Sequence, residues 1–306
     1  MRTIVECVPN FSEGRDRNIV GSIVEAIAGT PGAAVLGQTW DYDHNRSVVT
    51  FAGEPEAVVN AAYRGIESAV RWIDLNRHDG VHPRIGAADV VPLVPISGVT
   101  LEDCVRLAER LGQQVWNRLH VPVYLYEAAA RRPDRANLAN IRRGGFRKLL
   151  EEVRVNIDRR PDIGEPVLHP TAGACVIGAR KLLIAFNVHL ATTDVEIARR
   201  IAKKIRFSAG GLPCVKALGL FLRSRNQAQV SINVTDFEKT SLATVFAAVL
   251  AETERLGVKV EGSEIVGLVP RKALSEGVDL KLLNFSEDLV LENQLAKAGL
   301  LGGPGA

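Results

Sequence analysis

Residues 180–206 read RKLLIAFNVHLATTDVEIARRIAKKIR. A strand pattern over 180–190 gives way at Thr192–Asp194 to a helical one, with Thr and Asp as candidate N-caps. The theme then repeats. VKALGLFLRS (215–224) and AQVSINVTDF (228–237) read as neighbouring strands across an Arg-Asn-Gln turn. Residues 241–257, SLATVFAAVLAETERLG, read as a second helix ended by Gly257, and KVEGSEIVGLVP (259–270) as a last strand. The order is β-α-β-β-α-β, the split-βαβ or ferredoxin-like pattern.

The first half follows the same order. Strands at 4–10, 33–40, 45–53 and 89–97 alternate with helices at 15–30 and 54–75, the latter with Pro55 in its first turn. A further helix (101–119), a strand (121–127) and a basic helical stretch (137–154, interrupted by Gly144 and Gly145) are added. Residues 160–174, RPDIGEPVLHPTAGA, have no period and read as a loop. Long structureless loops inside compact chains are often functional. The fold class is therefore α/β (α+β): two tandem ferredoxin-like βαββαβ subdomains, helices on one face of each sheet, with a ligand cleft between them. The expected boundaries are 1–178, 179–298 and a flexible tail at 299–306.

Composition narrows the function classes. A chain of 306 residues, 46% hydrophobic and 24% charged, can bury its own core. A net charge of +3 and 5% aromatics argue against nucleic acid. Cys7, Cys104, Cys175 and Cys214 form no CxxC pair and read as reduced core residues. With no apolar run of spanning length, no membrane partner is expected, and the setting reads as cytoplasmic.

Titratable chemistry concentrates in DLNRHDGVHPRIGAADVVP (74–92). His78 and His82 have a metal-like spacing, but Gly80 weakens a helix there and Pro83 disfavours helical geometry at His82. A turn is the plainer reading, with Arg84 pairing Asp89 or Asp79. The third reading is a general base, since histidine titrates near neutrality. The 41–46 turn, DYDHNR, offers Asp41 and Asp43 as carboxylates to orient it. His44, His120 and His189 are assigned no role. The Asn10–Gly14 turn either starts a helix, with Ser12 as cap, or lines a ligand site.

VECVPNFSEGRD (5–16), HNRSVVTFAG (44–53), IDLNRHDGVHPRIGAADVVPLVP (73–95) and VPVYLYEAA (121–129) resemble the glutamate formimidoyltransferases. GARKLLIAFNVHL (178–190), NQAQVSINVTDF (226–237) and GSEIVGLVP (262–270) continue the likeness, which is collinear from about residue 2 to about residue 285. The resemblance implies the stand-alone transferase unit, without the helical cyclodeaminase to which vertebrate members are fused. It implies transfer of a formimidoyl group from N-formimidoyl-L-glutamate to N5 of tetrahydrofolate, the co-substrate, with no metal, in a cytoplasmic homodimer. Neutral His82 would be the catalytic acid/base, supported by Asp41, Asp43 or Arg84. Folate would meet Gly164, Glu165, Pro166, Val167, Leu168, His169, Pro170, Thr171, Ala172 and Gly173. Asn10, Arg46, Arg180 and Lys181 are candidates for substrate carboxylates, as is Arg84. The chain departs from the family at Thr39, Glu165 and His169. The alternatives are a related one-carbon transfer or cyclisation using 5-formyltetrahydrofolate or N-formylglutamate, and a non-catalytic folate-binding protein.

Overall fold

The computed structural model describes residues 2–42, 44–80, 83–274, 279–283 and 285–301. The chain divides into two compact units, residues 1–180 and 181–306.

The first unit runs β1 (Ile4–Cys7), β2 (Asn10–Phe11), α1 (Arg17–Ala28), β3 (Ala33–Asp41), β4 (Arg46–Gly53), α2 (Pro55–Trp72), β5 (Ala88–Ser97), α3 (Leu101–Leu119), β6 (Val123–Glu127), α4 (Leu138–Ile141), α5 (Gly145–Glu152) and β7 (Cys175–Ala179). β1 and β2 are two pieces of one strand line, since both pair antiparallel with β4 on one side and β5 on the other. The break falls at Val8–Pro9, where proline has no N–H to give the ladder. Across the sheet the order is β3, β4, β1/β2, β5, β7, β6. The first four positions are antiparallel in ferredoxin-like order, and β7 joins β5 and β6 in parallel.

Strand β7 is absent from the sequence reading. All five of its residues, CVIGA, are buried, and a short strand buried on both faces shows no alternation. The basic stretch at 137–154 is two short helices, divided at its glycines, where Gly144 turns left-handed with φ 84°. Elsewhere local chemistry does what its residues suggest. Pro55 stands in the first turn of α2, and Thr100 and Asp103 close a capping box on α3. The core packs Ile23, Ile27, Ile66 and Leu111 from the helices against Phe11, Phe51, Leu93 and Leu125 from the sheet.

The second unit runs β8 (Ile184–Leu190), α6 (Val195–Ile205), β9 (Val215–Leu222), β10 (Gln227–Val234), α7 (Leu242–Arg255), β11 (Val260–Val266) and α8 (Leu291–Lys297), the last unforeseen in the sequence. Asp194 caps α6, accepting from the Glu196 N–H at 2.9 Å. The sheet order is β11, β8, β10, β9, antiparallel throughout. That is fourth, first, third, second within the unit, the ferredoxin-like order expected. Ile184, Phe186, Val188 and Leu190 alternate into the core with Ile201, Phe246 and Val249 of the helices. Phe186 and Phe246 meet edge to face at 6.1 Å.

Cys7, Cys104 and Cys175 are buried, Cys214 is half-buried, and all four are free thiols. Among the described residues no helix is long and apolar enough to cross a membrane.

Candidate active site

Four segments of the first unit meet, the 74–89 stretch being the third of them. The turn after β2 comes first. The Ser12 hydroxyl donates to the Gly86 carbonyl at 2.7 Å, and its N–H donates to Ala87 at 2.8 Å. Asp16, not Ser12, caps α1. Ser12 therefore ties the turn to the stretch instead of starting the helix. A Cβ on Gly14 would lie 2.4 Å from the Asp41 carbonyl, so only glycine lets the two turns touch.

The turn between β3 and β4 is the second segment. Asp41 accepts from the His44 N–H at 2.7 Å, and its carboxylate lies 3.0 Å from the His44 ring. Asn45, at φ 47°, joins three segments. Its side chain accepts from Gly14 N–H at 2.9 Å and donates to Asp79 O at 3.0 Å, while its carbonyl accepts from His78 Nε2 at 3.0 Å.

His78 is thereby fixed. Arg84 donates to its Nδ1 and to the Gly80 carbonyl. The ring holds its proton on Nε2, facing Asn45. Burial, then the Arg84 charge, hold its pKa below the usual histidine value. His78 thus fastens the loop. His82 and Asp43 lie outside the described residues.

Beneath the turns sits a cationic group. Asn10, Arg46, Arg84 and Asp89 line one small recess with Phe11, Ser12, His44 and Asn45. Asp89 is buried, accepts from the Ile85 N–H at 2.7 Å and pairs with the buried Arg142 at 2.5 Å. Arg46 is lowered to about 10, chiefly by burial and then by the Arg142 charge. Asn10 donates to Val8 O at 2.9 Å, but its buried Oδ1 has no partner among the described residues. Such an orphaned acceptor is costly and suits a ligand donor. Arg142 had no sequence signal: it lies 53 residues past Asp89 in a stretch that reads as surface helix.

The fourth segment is the 164–173 loop. Leu75 donates to Thr171 O at 2.9 Å, the Asn76 amide to Pro170 O at 2.9 Å, and Ala87 to Ala172 O at 2.9 Å. The loop is thus laced to both sides of the histidine stretch. His169 Nδ1 accepts from Ala172 N–H at 3.0 Å, closing the loop on itself. Gly164, at φ 96°, lies so close to Trp116 that a Cβ would meet its ring at 2.6 Å. Glu165, Val167, Leu168, His169 and Pro170 share a surface groove with Trp116, Asn117 and His120. Burial, then His120, lower the His169 pKa.

Two of the candidate cations are engaged with other groups. Arg180 follows β7, beside Glu6 and Tyr126. Burial raises Glu6 to about 7 against the pull of Arg180. Lys181, in the second unit, pairs with Asp236 at 2.8 Å. Among the described residues no group of three or more His, Cys, Asp or Glu is placed to hold a metal ion.

Comparison with known proteins agrees along the whole length. The N-terminal subdomain of the formiminotransferase domain matches residues 4–180, and the formiminotransferase domain matches residues 185–297. A glutamate formimidoyltransferase of Streptococcus pyogenes is 42% identical, over 99% of this chain and all of its own. One from Thermoplasma acidophilum is 46% identical over 97% of this chain and 98% of its own. The formimidoyltransferase-cyclodeaminase of Sus scrofa is 45% identical over 90% of this chain, which spans 51% of that protein. The chain belongs to the formiminotransferase family.

Proposed function

We propose that this protein is a glutamate formimidoyltransferase, moving a formimidoyl group from N-formimidoyl-L-glutamate to N5 of tetrahydrofolate. Full-length similarity to relatives of that name supports the activity. The structural observation that carries it is the lacing of the 164–173 loop to the 74–89 stretch. In this reading the glycine-bordered loop takes the flat pterin, and the stretch that contains His82 serves proton transfer.

In this reading N5 attacks the amidine carbon and a tetrahedral intermediate forms. The N5 proton passes to neutral His82, which returns it to the glutamate nitrogen as the carbon–nitrogen bond breaks. One imidazole can serve both steps, since histidine is the side chain whose ordinary pKa lies near neutrality. Orientation of two bound substrates supplies much of the rate. Arg46 and Arg84 receive a glutamate carboxylate, and the Asn10 Oδ1 accepts from a substrate N–H, all three lining one recess with Asp89. Asp41 is the candidate that steadies the turn through His44, and Asp43 the second carboxylate. The resemblance also supports a homodimer in the cytoplasm, which sedimentation and fractionation test.

The test is direct. Purified protein, N-formimidoyl-L-glutamate and tetrahydrofolate should yield glutamate and 5-formimidoyltetrahydrofolate in equal amounts, with a chelator present. Turnover only with N-formylglutamate or 5-formyltetrahydrofolate, or folate binding without turnover, would replace this reading.

A further inference from the structure

One side chain fastens the part of the 164–173 loop that reaches the histidine stretch. His169 Nδ1 accepts from the Ala172 N–H at 3.0 Å and from the Thr171 N–H at 3.3 Å, with Thr171 Oγ1 at 3.5 Å. The backbone closes the same turn. The His169 N–H donates to Gly173 O at 2.9 Å, and the Gly173 N–H to His169 O at 3.1 Å. The carbonyls of Pro170, Thr171 and Ala172 lie inside this turn. They are the three that accept from the Asn76 amide, the Leu75 N–H and the Ala87 N–H. The imidazole therefore sits at the root of the lacing between the loop and the 74–89 stretch.

An acceptor at Nδ1 places the proton of the neutral ring on Nε2. A second proton can only go to Nδ1, where it faces two backbone N–H groups. The imidazolium is a donor at both nitrogens and an acceptor at neither, so the closed turn and the charged ring oppose each other. His169 is half-buried, in the groove it shares with Trp116, His120 and Glu165, so solvent protons reach the ring. Burial opposes the imidazolium most, and His120 of α3 opposes it next. Glu165, on the loop itself, lines the same groove and offers the released ring an anion. From the 74–89 stretch Asp74 acts through Asn76, whose amide it accepts at 2.8 Å, and it is paired with Arg77 at 3.7 Å. His78 titrates against Asn45 and Arg84.

We propose that His169 is a pH-operated latch: protonation at Nδ1 opens the 169–173 turn and frees the loop from the 74–89 stretch. The closed turn takes this proton less readily than the open one. Opening therefore grows more favourable as pH falls below about 6.5, the ordinary histidine value, until the closed form itself is protonated. One proton per opening is worth about 10-fold in the opening equilibrium per pH unit. In the transferase reading this loop is the folate segment, so the latch closes the site to folate in acid; that consequence, and not the latch, rests on the reading.

The experiment is backbone amide hydrogen exchange of the full chain by NMR, without substrates, from about pH 7.5 to about pH 5, corrected for intrinsic rates. Protection at Thr171 and Ala172 should fall about 10-fold per pH unit below about 6.5. Ile232, doubly paired in the middle of β10, should stay protected and so exclude global unfolding. His169→Asn supplies an amide oxygen that can accept in place of Nδ1 and does not titrate, and its protection should stay level. In wild type the Ala172 amide shift should follow the titration of the His169 ring, a reading that needs no variant. Ala172 protection independent of pH, an equal fall in His169→Asn, or an Ala172 shift that departs from the ring titration overturns the proposal. No substrate is present, so each outcome leaves the transferase reading to its own assay.

Discussion

Asp89 and Arg142 form a buried ion pair, 2.5 Å from guanidinium to carboxylate, across 53 residues of sequence. The other Asp89 oxygen holds the Ile85 N–H at 2.7 Å, so the pair fixes the C-terminal end of the histidine stretch. Removing one member leaves a buried, uncompensated charge, a loss of about 3–5 kcal/mol. Asp89→Asn should therefore lower the unfolding free energy by several kcal/mol, read by urea titration. An unchanged midpoint would show the pair to be dispensable.

Arg46 makes a different prediction, because it lines the recess. In the proposed function its contact with a substrate carboxylate is made equally in ground and transition states. Arg46→Gln should raise the KM for N-formimidoyl-L-glutamate about 10- to 100-fold and leave kcat within a few-fold. A fall in kcat at constant KM would move Arg46 from binding to chemistry.

The neutral state of His78 sets a pH dependence. Its pKa in the fold lies below the unfolded value, through burial and Arg84. The unfolded chain therefore binds the proton more readily, and stability falls as pH drops through about 6.5. His78→Gln should flatten that acid limb of the stability curve. The same limb in wild type and variant would assign it to another group.

Glu6 works in the opposite direction. Its pKa is raised to about 7 by burial. Ionisation is then easier in the unfolded chain, so the folded state loses stability between about pH 4.5 and pH 7 and stays penalised above. Glu6→Gln removes the penalty. It should stabilise the protein by roughly 3 kcal/mol near pH 8 and by little near pH 4. Equal effects at both pH values would show that Glu6 is not protonated in the fold.

The antiparallel elements were legible because each shows a period and a stop, as in Asp194 before α6 and Pro55 in α2. β7 was not, because five buried residues without alternation resemble any apolar run. In the site, the histidine stretch and the proline-glycine loop announced themselves by composition. Their lacing did not, since it is made by backbone groups such as Thr171 O and Ala87 N, which carry no residue signature. Arg142 was hidden for a related reason: a charged residue in a basic stretch reads as solvated surface until the fold folds it inward. His78 and His82 show the limit of spacing, which pairs them as metal ligands, whereas the sequence reading takes His82 as the base and His78 as structural. The contacts of His78 make it a fastening.

The central claim is that His82 carries the proton. The most direct test compares wild type and His82→Ala in formimidoyl transfer, with tetrahydrofolate binding measured alongside. The account predicts a loss of about 10²-fold or more in kcat with folate affinity preserved. Near-wild-type turnover by His82→Ala would contradict it.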